Sequence, residues 1–297
     1  MDSNTSKKRV LFIVNPIAGV RNKIRIPELI AVHIDPQIFD YHIAYTQFAG
    51  HAVFLAQEAV TNDYQMVVAV GGDGSVNEVA SQLVDTSVVL GIIPLGSGNG
   101  LATKLGIPLK QIAAIKALNT GQPKAVDVGM INQRYFFSCA GIGYSATVAA
   151  RFAGRKNRGV AGYAYTIASG LPSYRPTNCQ LVCNDTTLTP SAFDITFNNS
   201  GQFGYGLGLT PHSKLDDGML ELTIVRTFSM FWILWVVFLF LIGRLQKSRL
   251  FKVIETNEAK FVCPHPVQAQ IDGDPAMIDQ TFEVSVKKQA LLVIVNC

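Results

Sequence analysis

Along the first 130 residues, short apolar runs alternate with stretches whose apolar positions recur at helical spacing. VLFIV at 10–14, YHIAY at 41–45, MVVAV at 66–70 and VVLGIIP at 88–94 are the runs. Residues 26–33, 51–61, 75–84, 98–105 and 109–119 carry the helical pattern. Continuous Val/Ile-rich runs that end in Gly or Pro clusters, each followed by a helix, predict a parallel sheet covered on both faces. Past Asp127 the runs become shorter and more often alternate: YFFSC at 135–139, CQLVC at 179–183, AFDITFN at 192–198, MLELTIV at 219–225, KFVCP at 260–264, VQAQI at 267–271, FEVSV at 282–286 and ALLVIV at 290–295. Strands at that density, with Gly-rich turns between them, predict a β-sandwich or barrel-like second domain, interrupted by helices near 143–152 and 159–171. The fold class is therefore α/β plus β, with the boundary near 125–130.

Composition narrows the picture. The chain has 297 residues, of which 48% are hydrophobic and 15% charged, with a net charge of +4. It can fill a sizeable core, and it lacks the concentrated Lys/Arg stripe of a nucleic-acid binder, so no nucleic-acid partner is expected. The five cysteines (Cys139, Cys179, Cys183, Cys263, Cys297) fit no metal-ligand spacing and read as free thiols of a reducing cytosol. Val10–Val14 is too short for the apolar core of a signal peptide, so a cytoplasmic location is expected.

The chemistry concentrates in two glycine-rich turns. In VVAVGGDGSVNEVA (67–80), a buried run meets Gly71, Gly72, Asp73 and Gly74, and a helix follows in which Ser75 and Glu78 have capping-box spacing. Such a helix start presents unpaired N–H groups and the positive end of a dipole to a phosphate. GIIPLGSGNGLA (91–102) repeats the device, with Gly96, Gly98 and Gly100 around Ser97 and Asn99. Turns at the carboxyl ends of successive parallel strands share the edge where open α/β sheets bind ligands. Neither turn is a P-loop or a dinucleotide fingerprint.

The segments NPIAG (15–19), Thr46 to Ala52 with its GHA, GGDGSVNEV (71–79), PLGSGNGLA (94–102), KLDDGMLEL (214–222) and IDGDP (271–275) resemble, in order and spacing, the diacylglycerol kinase catalytic-domain family. That group includes bacterial lipid kinases and sphingosine and ceramide kinases, with NAD kinases as distant relatives. The resemblance implies a Rossmann-like nucleotide-binding domain over 1–127 and a β-sandwich-like lipid-substrate domain over 128–297, with a last strand at about 289–297 that returns to the first domain. It implies an ATP-dependent lipid kinase with Mg²⁺, ATP and a membrane lipid as partners, and, by analogy, a homodimer.

Carried over residue by residue, the resemblance makes Asp272 the base that takes the proton of the lipid hydroxyl. Asp274 stands where many relatives carry Glu. Thr46, Gly71, Gly72, Asp73, Gly74, Ser75, Asn77, Glu78 and Ser97 match positions that contact ATP; Asp73 either touches the nucleotide or its metal, or caps the turn. Asp217, with the carbonyls of Lys214 and Met219, matches a Mg²⁺ site, although an Asp-Gly turn before a strand has its own use there; Asp216 stands beside it. Gly100 departs from the Asp common in bacterial diacylglycerol kinases, which leaves the acceptor open. Arg21, Lys23 and Arg25 are either phosphate clamps or an exposed basic helix start.

Residues 228–242, FSMFWILWVVFLFLI, hold both tryptophans and one polar residue, with Arg226, Arg244, Lys247, Arg249 and Lys252 flanking them. As a helix the segment would be about 22 Å long, short of the roughly 30 Å hydrocarbon core. An interfacial helix that places the enzyme peripherally on the inner face of the membrane is the favoured reading, with a buried core helix as its rival. Two other functions stay open: an NAD-kinase-like enzyme and a catalytically inactive lipid- or nucleotide-binding protein.

Overall fold

The computed structural model describes residues 7–18, 25–154, 160–176, 178–203, 207–208, 213–227 and 248–296. Arg21, Lys23, the 228–242 segment, Arg244 and Lys247 lie outside the described residues. The chain divides into two compact units, Met1–Val126 with Gln289–Cys297, and Asp127–Lys288.

The first unit is built from β1 (Lys8–Val14), α1 (Ile26–His33), β2 (Phe39–Tyr45), α2 (His51–Thr61), β3 (Met66–Gly71), α3 (Asp73–Leu83), β4 (Val89–Pro94), α4 (Gly100–Lys104) and α5 (Gln111–Thr120). The strands pair in parallel in the order β2-β1-β3-β4. β3 is buried at all six positions, as a strand covered on both faces must be. One side of the sheet packs Phe12, Val68, Val70 and Ile93 against Ile26 and Ile30 of α1 and Ala114, Ile115 and Leu118 of α5. Each such fully buried Ile or Phe contributes roughly 1.5–3 kcal/mol.

In the second unit, β5 (Gln122–Ile131, entering from the first unit), β6 (Arg134–Phe136) and β7 (Cys139–Gly143) precede α6 (Tyr144–Ala153) and α7 (Val160–Gly170). The strands then run β8 (Gln180–Cys183), β9 (Thr186–Leu188), β10 (Ala192–Asn198), β11 (Gln202–Phe203), β12 (Leu207–Gly208), β13 (Leu220–Arg226), β14 (Phe251–Thr256), β15 (Glu258–Val262), β16 (Val267–Ile271), β17 (Asp274–Ile278) and β18 (Thr281–Val295). One sheet is β14-β13-β10-β7-β16-β17, antiparallel throughout. The opposing layer pairs β18 with β15, β15 with β8 and β8 with β9. Ile142, Ile195 and Leu222 of the first layer share one core with Leu181, Phe261, Phe282 and Val284 of the second, which makes this a sandwich. Phe261 stacks on Phe282 with centroids 4.5 Å apart and meets Phe197 edge-on.

FEVSV and ALLVIV, two runs in the sequence, are one strand. Gln289, at φ 50°, marks the passage between units, and Val293 then pairs in parallel with Leu90 of β4.

The expectation of five free thiols needs correction. Cys179 and Cys263 form a disulfide with Cα atoms 4.4 Å apart, Cys139 and Cys183 are buried thiols outside that bridge, and Cys297 lies outside the described residues. The reason is register: β8 and β15 are antiparallel with Gln180 opposite Val262, which sets residues 179 and 263 face to face one step further on.

Candidate active site

Within the first unit, the carboxyl ends of the four parallel strands form one edge. The N–H of Thr46 donates to the Val14 carbonyl (3.0 Å), that of Asn15 to Val70 (3.0 Å) and that of Leu95 to Gly71 (2.7 Å), so the loops after β2, β1 and β4 are tied strand to strand. Both glycine turns sit on this edge. They touch: a Cβ at Gly96 would meet Gly72 Cα at 2.7 Å, and a Cβ at Gly98 would meet Asp73 Oδ2 at 2.6 Å. Only residues without side chains permit that approach.

Asp73 joins the two turns. Its Oδ2 accepts the N–H of Asn99 (2.8 Å) and its Oδ1 that of Gly100 (2.7 Å). Asn99, in the left-handed region at φ 53°, closes the second turn on itself by accepting from Gly96 N–H (3.0 Å) and donating to the Gly96 carbonyl (2.7 Å). Ser97 is exposed at the tip of that turn.

Helix α3 begins at Asp73 behind an N-cap at Gly72, and no side chain caps it. The Ser75–Glu78 capping box is therefore not formed, because the helix opens two residues earlier and both side chains bind elsewhere. Ser75 Oγ accepts from Asn15 Nδ2 (2.9 Å), tying α3 to the NPIAG loop. Glu78 Oε1 accepts from the N–H of Gly50 (3.0 Å), tying it to the loop that follows Thr46. Asn77 lies on the same two turns of helix, partly buried. Gly71 is demanded by the fold, since a Cβ there would stand 2.5 Å from Ser75. Gly74, at the exposed start of α3, would place its Cβ in open space. Arg25 is exposed at the residue before α1.

The second unit holds the other predicted group. Asp272 and Gly273 are the two central residues between β16 and β17, with φ 49° and 89°, the signature of a tight Asp-Gly hairpin turn. A solvated turn aspartate needs no further partner, yet this one is half-buried and accepts three backbone N–H groups. Oδ2 takes Phe137 N–H (2.8 Å), and Oδ1 takes Ser138 N–H (2.8 Å) and Cys139 N–H (2.9 Å). Asp272 N–H returns a bond to the Cys139 carbonyl (2.8 Å). The carboxylate is thereby fixed in position at the mouth of β7.

The turn 214–219 precedes β13. Asp217 is exposed, and its Oδ1 accepts from Met219 N–H (3.1 Å). Neither the Lys214 nor the Met219 carbonyl accepts a hydrogen bond from the described residues. A carboxylate and two backbone carbonyls within one turn are oxygen donors, the ligand type that Mg²⁺ takes together with retained waters. Asp216 is exposed beside it. Among the described residues, no three His, Cys, Asp or Glu side chains gather at metal-binding reach.

Sequence reasoning missed Asp127. It is 1% exposed; its N–H donates to the Leu215 carbonyl (2.6 Å) and its Oδ2 accepts from Gly218 N–H (2.6 Å), so it braces the 214–219 turn from beneath. The signal was present as a lone acid in the apolar run AVDVG. Asn199, fully buried, was missed as well: its Nδ2 donates to the Asp127 carbonyl (2.9 Å) and the Phe137 carbonyl (3.2 Å), which links that brace to the loop holding Asp272.

Residues 9–131 match the diacylglycerol kinase catalytic domain, and residues 138–295 match the YegS C-terminal NAD kinase beta sandwich-like domain. The chain belongs to the diacylglycerol kinase catalytic-domain family. Within that family it is similar to a protein of Chromohalobacter salexigens named "Probable lipid kinase YegS-like", at 30% identity over 84% of this chain and 83% of the relative. It is also similar to the diacylglycerol kinase of Bacillus subtilis, at 28% identity over 90% of each. The fold is that of a diacylglycerol kinase crystal structure from Bacillus anthracis, with a TM-score of 0.74 at 20% identity over 98% of each chain. The sequence resemblance and the fold class, a parallel α/β domain followed by an antiparallel sandwich, are thus both borne out.

Proposed function

We propose that this lipid-kinase family member moves the γ-phosphate of ATP onto a hydroxyl of a membrane lipid such as diacylglycerol or a sphingoid base, with Asp272 as general base. The hydroxyl proton passes to the Asp272 carboxylate as the oxygen–phosphorus bond forms, the bond between the β- and γ-phosphoryl groups breaks, and ADP leaves. The observation that carries this reading is the immobilisation of Asp272 by three backbone N–H groups in a turn that needs none of them to close. Phosphoryl transfer asks for little besides positioning and charge neutralisation, and a base held in one place supplies part of the first.

On this reading the glycine turns receive the phosphate chain. Gly72, Gly74 and the first N–H groups of α3 face it, with Thr46, Ser75, Asn77, Glu78 and Ser97 around them. Asp73 keeps the two turns together and would meet a nucleotide-borne Mg²⁺. The Lys214 and Met219 carbonyls and Asp217 would hold a further Mg²⁺, whose chemistry there is to balance charge and rigidify the turn. We assign the nucleotide to residues 1–127 and the lipid to 128–297, and place the enzyme at the inner face of the membrane in the cytoplasm, as a homodimer. Among the described residues no helix is long and apolar enough to cross a membrane.

The test is transfer of labelled γ-phosphate from ATP with Mg²⁺ and mixed micelles that carry a panel of lipids, with NAD as a parallel acceptor, for the wild type and Asp272→Asn. Label in one lipid that drops by about 10²–10⁴-fold in the variant supports the reading. Label in NAD would replace the acceptor, and equal label in the variant would remove Asp272 from the chemistry.

A further inference from the structure

At the far end of β7 and β16 from Asp272, the second unit has a cleft of about 260 Å³, with Gly143, Thr147, Arg151, Ser173, Arg175 and Val267 in its wall. Its charge is of one sign. Both guanidinium groups are exposed, and neither has a carboxylate within ion-pair distance among the described residues. A larger cleft of the same unit, about 600 Å³, mixes Arg134 with Asp279 and Glu283 and offers no such bias.

The two arginines stand on a fixed base. Arg151, in the last turn of α6, donates through Nη2 to Ser173 Oγ (2.8 Å) and through Nη1 to the Ser169 carbonyl (3.4 Å). Arg175 Nη1 donates to the Tyr174 carbonyl (3.1 Å). Between Ser173 and Arg175, Tyr174 points inward: its hydroxyl donates to the Phe193 carbonyl (2.9 Å), and its ring packs on Tyr144 and Phe193. The start of α6 is pinned by the N–H of Ser145, which donates to Asp194 Oδ1 (2.7 Å). A guanidinium has five N–H donors, so most of those on Arg151 and Arg175 remain for a ligand.

We propose that this cleft is a second anion site, which binds a phosphate group through Arg151 and Arg175 with Ser173 beside them. Two guanidinium forks supply more donors than one carboxylate has oxygens, and a phosphate with three or four acceptor oxygens uses them. The site is separate from the transfer point. From Val267 to Asp272 is five residues of extended chain, roughly 17 Å at about 3.3 Å per residue, which is too far for the phosphate of a lipid whose reacting hydroxyl lies at Asp272. The inference rests on the proposed function only in taking Asp272 as that point.

The probes are vesicles of phosphatidylcholine with and without phosphatidic acid, and inorganic phosphate in solution, each titrated without ATP. The proteins are the wild type, Arg175→Gln, the pair Arg151→Gln with Arg175→Gln, and Asp272→Asn. Wild type and Asp272→Asn should both prefer the phosphatidic acid vesicles, the double variant should lose that preference by about tenfold or more, and Arg175→Gln, which gives up only a contact to its neighbour's carbonyl, should lose part of it. The phosphatidylcholine arm reads any purely apolar attachment. A drop that appears with inorganic phosphate as well supports a site open to free phosphate, and a drop confined to vesicles supports a lipid headgroup as the source. An unchanged preference in the double variant, or no arginine-dependent binding of either probe, overturns the site. Because Asp272→Asn binds without transferring, failure of the kinase reading and failure of this one give different results.

Discussion

Asp73 and Gly98 fix the spacing of the two glycine turns: a Cβ at residue 98 would stand 2.6 Å from Asp73 Oδ2, inside the space the carboxylate uses to hold Asn99 and Gly100. A carboxylate that accepts two backbone N–H groups from another loop is a strut first. Gly98→Ala should therefore disturb, through Asp73, the edge where we propose the nucleotide binds. Its KM for ATP should rise several-fold, whereas a serine at the exposed position 97 itself can be changed with less effect on the turn.

Two further glycines separate folding from nucleotide binding. Gly71→Ala would set a Cβ 2.5 Å from Ser75 and should cost about 1–3 kcal/mol of stability, as overpacking does. Gly74→Ala meets no protein atom and sits in a helix turn that favours alanine, so the melting temperature should hold or rise while KM for ATP rises. Thermal unfolding beside ATP kinetics checks both, and an unchanged KM in Gly74→Ala would move the phosphates away from α3.

Magnesium should be detectable without catalysis. If Asp217 and the carbonyls of Lys214 and Met219 hold the ion, millimolar Mg²⁺ without ATP raises the melting temperature of the wild type, by linkage of binding to folding, and leaves Asp217→Ala unmoved. Equal shifts in both proteins would empty that site.

Asp194 carries a pH dependence. Burial raises its pKa above the usual carboxylate value, while bonds from Ser145 and Thr196 act against that rise. The folded state then holds the proton more tightly than the unfolded chain. The stabilisation from protonation is fully present below the unfolded pKa and is lost as pH rises through the folded one. Asp194→Asn keeps an acceptor for Ser145 and cannot ionise, so the stability of wild type relative to this variant should improve as pH falls from 7 toward 4, read from urea midpoints. Asp194→Ala, which removes the acceptor from the start of α6, should be about 1–2 kcal/mol less stable than Asp194→Asn, by the same amount at each pH because neither variant ionises.

The Cys179–Cys263 bridge closes a separation of 84 residues within the sandwich. Reduction, or Cys179→Ser with Cys263→Ser, should lower stability by about 2–4 kcal/mol through the freer unfolded chain. Denaturant titration with and without a thiol reductant measures it; no difference would mean that the bridge does not form in solution.

Read alone, the sequence determined the architecture and, through its ordered motifs, the family. Val/Ile runs closed by glycines specify strands covered on both faces, and alternating runs specify strands with one dry side, because periodicity records which positions water reaches. The glycine turns were legible for a related reason: turns with positive φ or close backbone contact admit few residue types, so the letters mark the geometry, whereas Asp272 and the Asp217 turn stood out only by their match to the motifs of the family. Pairing across long separations was not legible. That Asp73 would hold Asn99 and Gly100, that Ser75 would answer Asn15 and Glu78 would answer Gly50, that Phe137 to Cys139 would clasp Asp272, and that Cys179 would face Cys263 all depend on strand register and on how far the turns approach. The residues of each pair lie from 26 to 135 positions apart, and local propensity carries no information over such a span. Only the packed chain, which sets which polar groups are buried together and must satisfy one another, decides those partners.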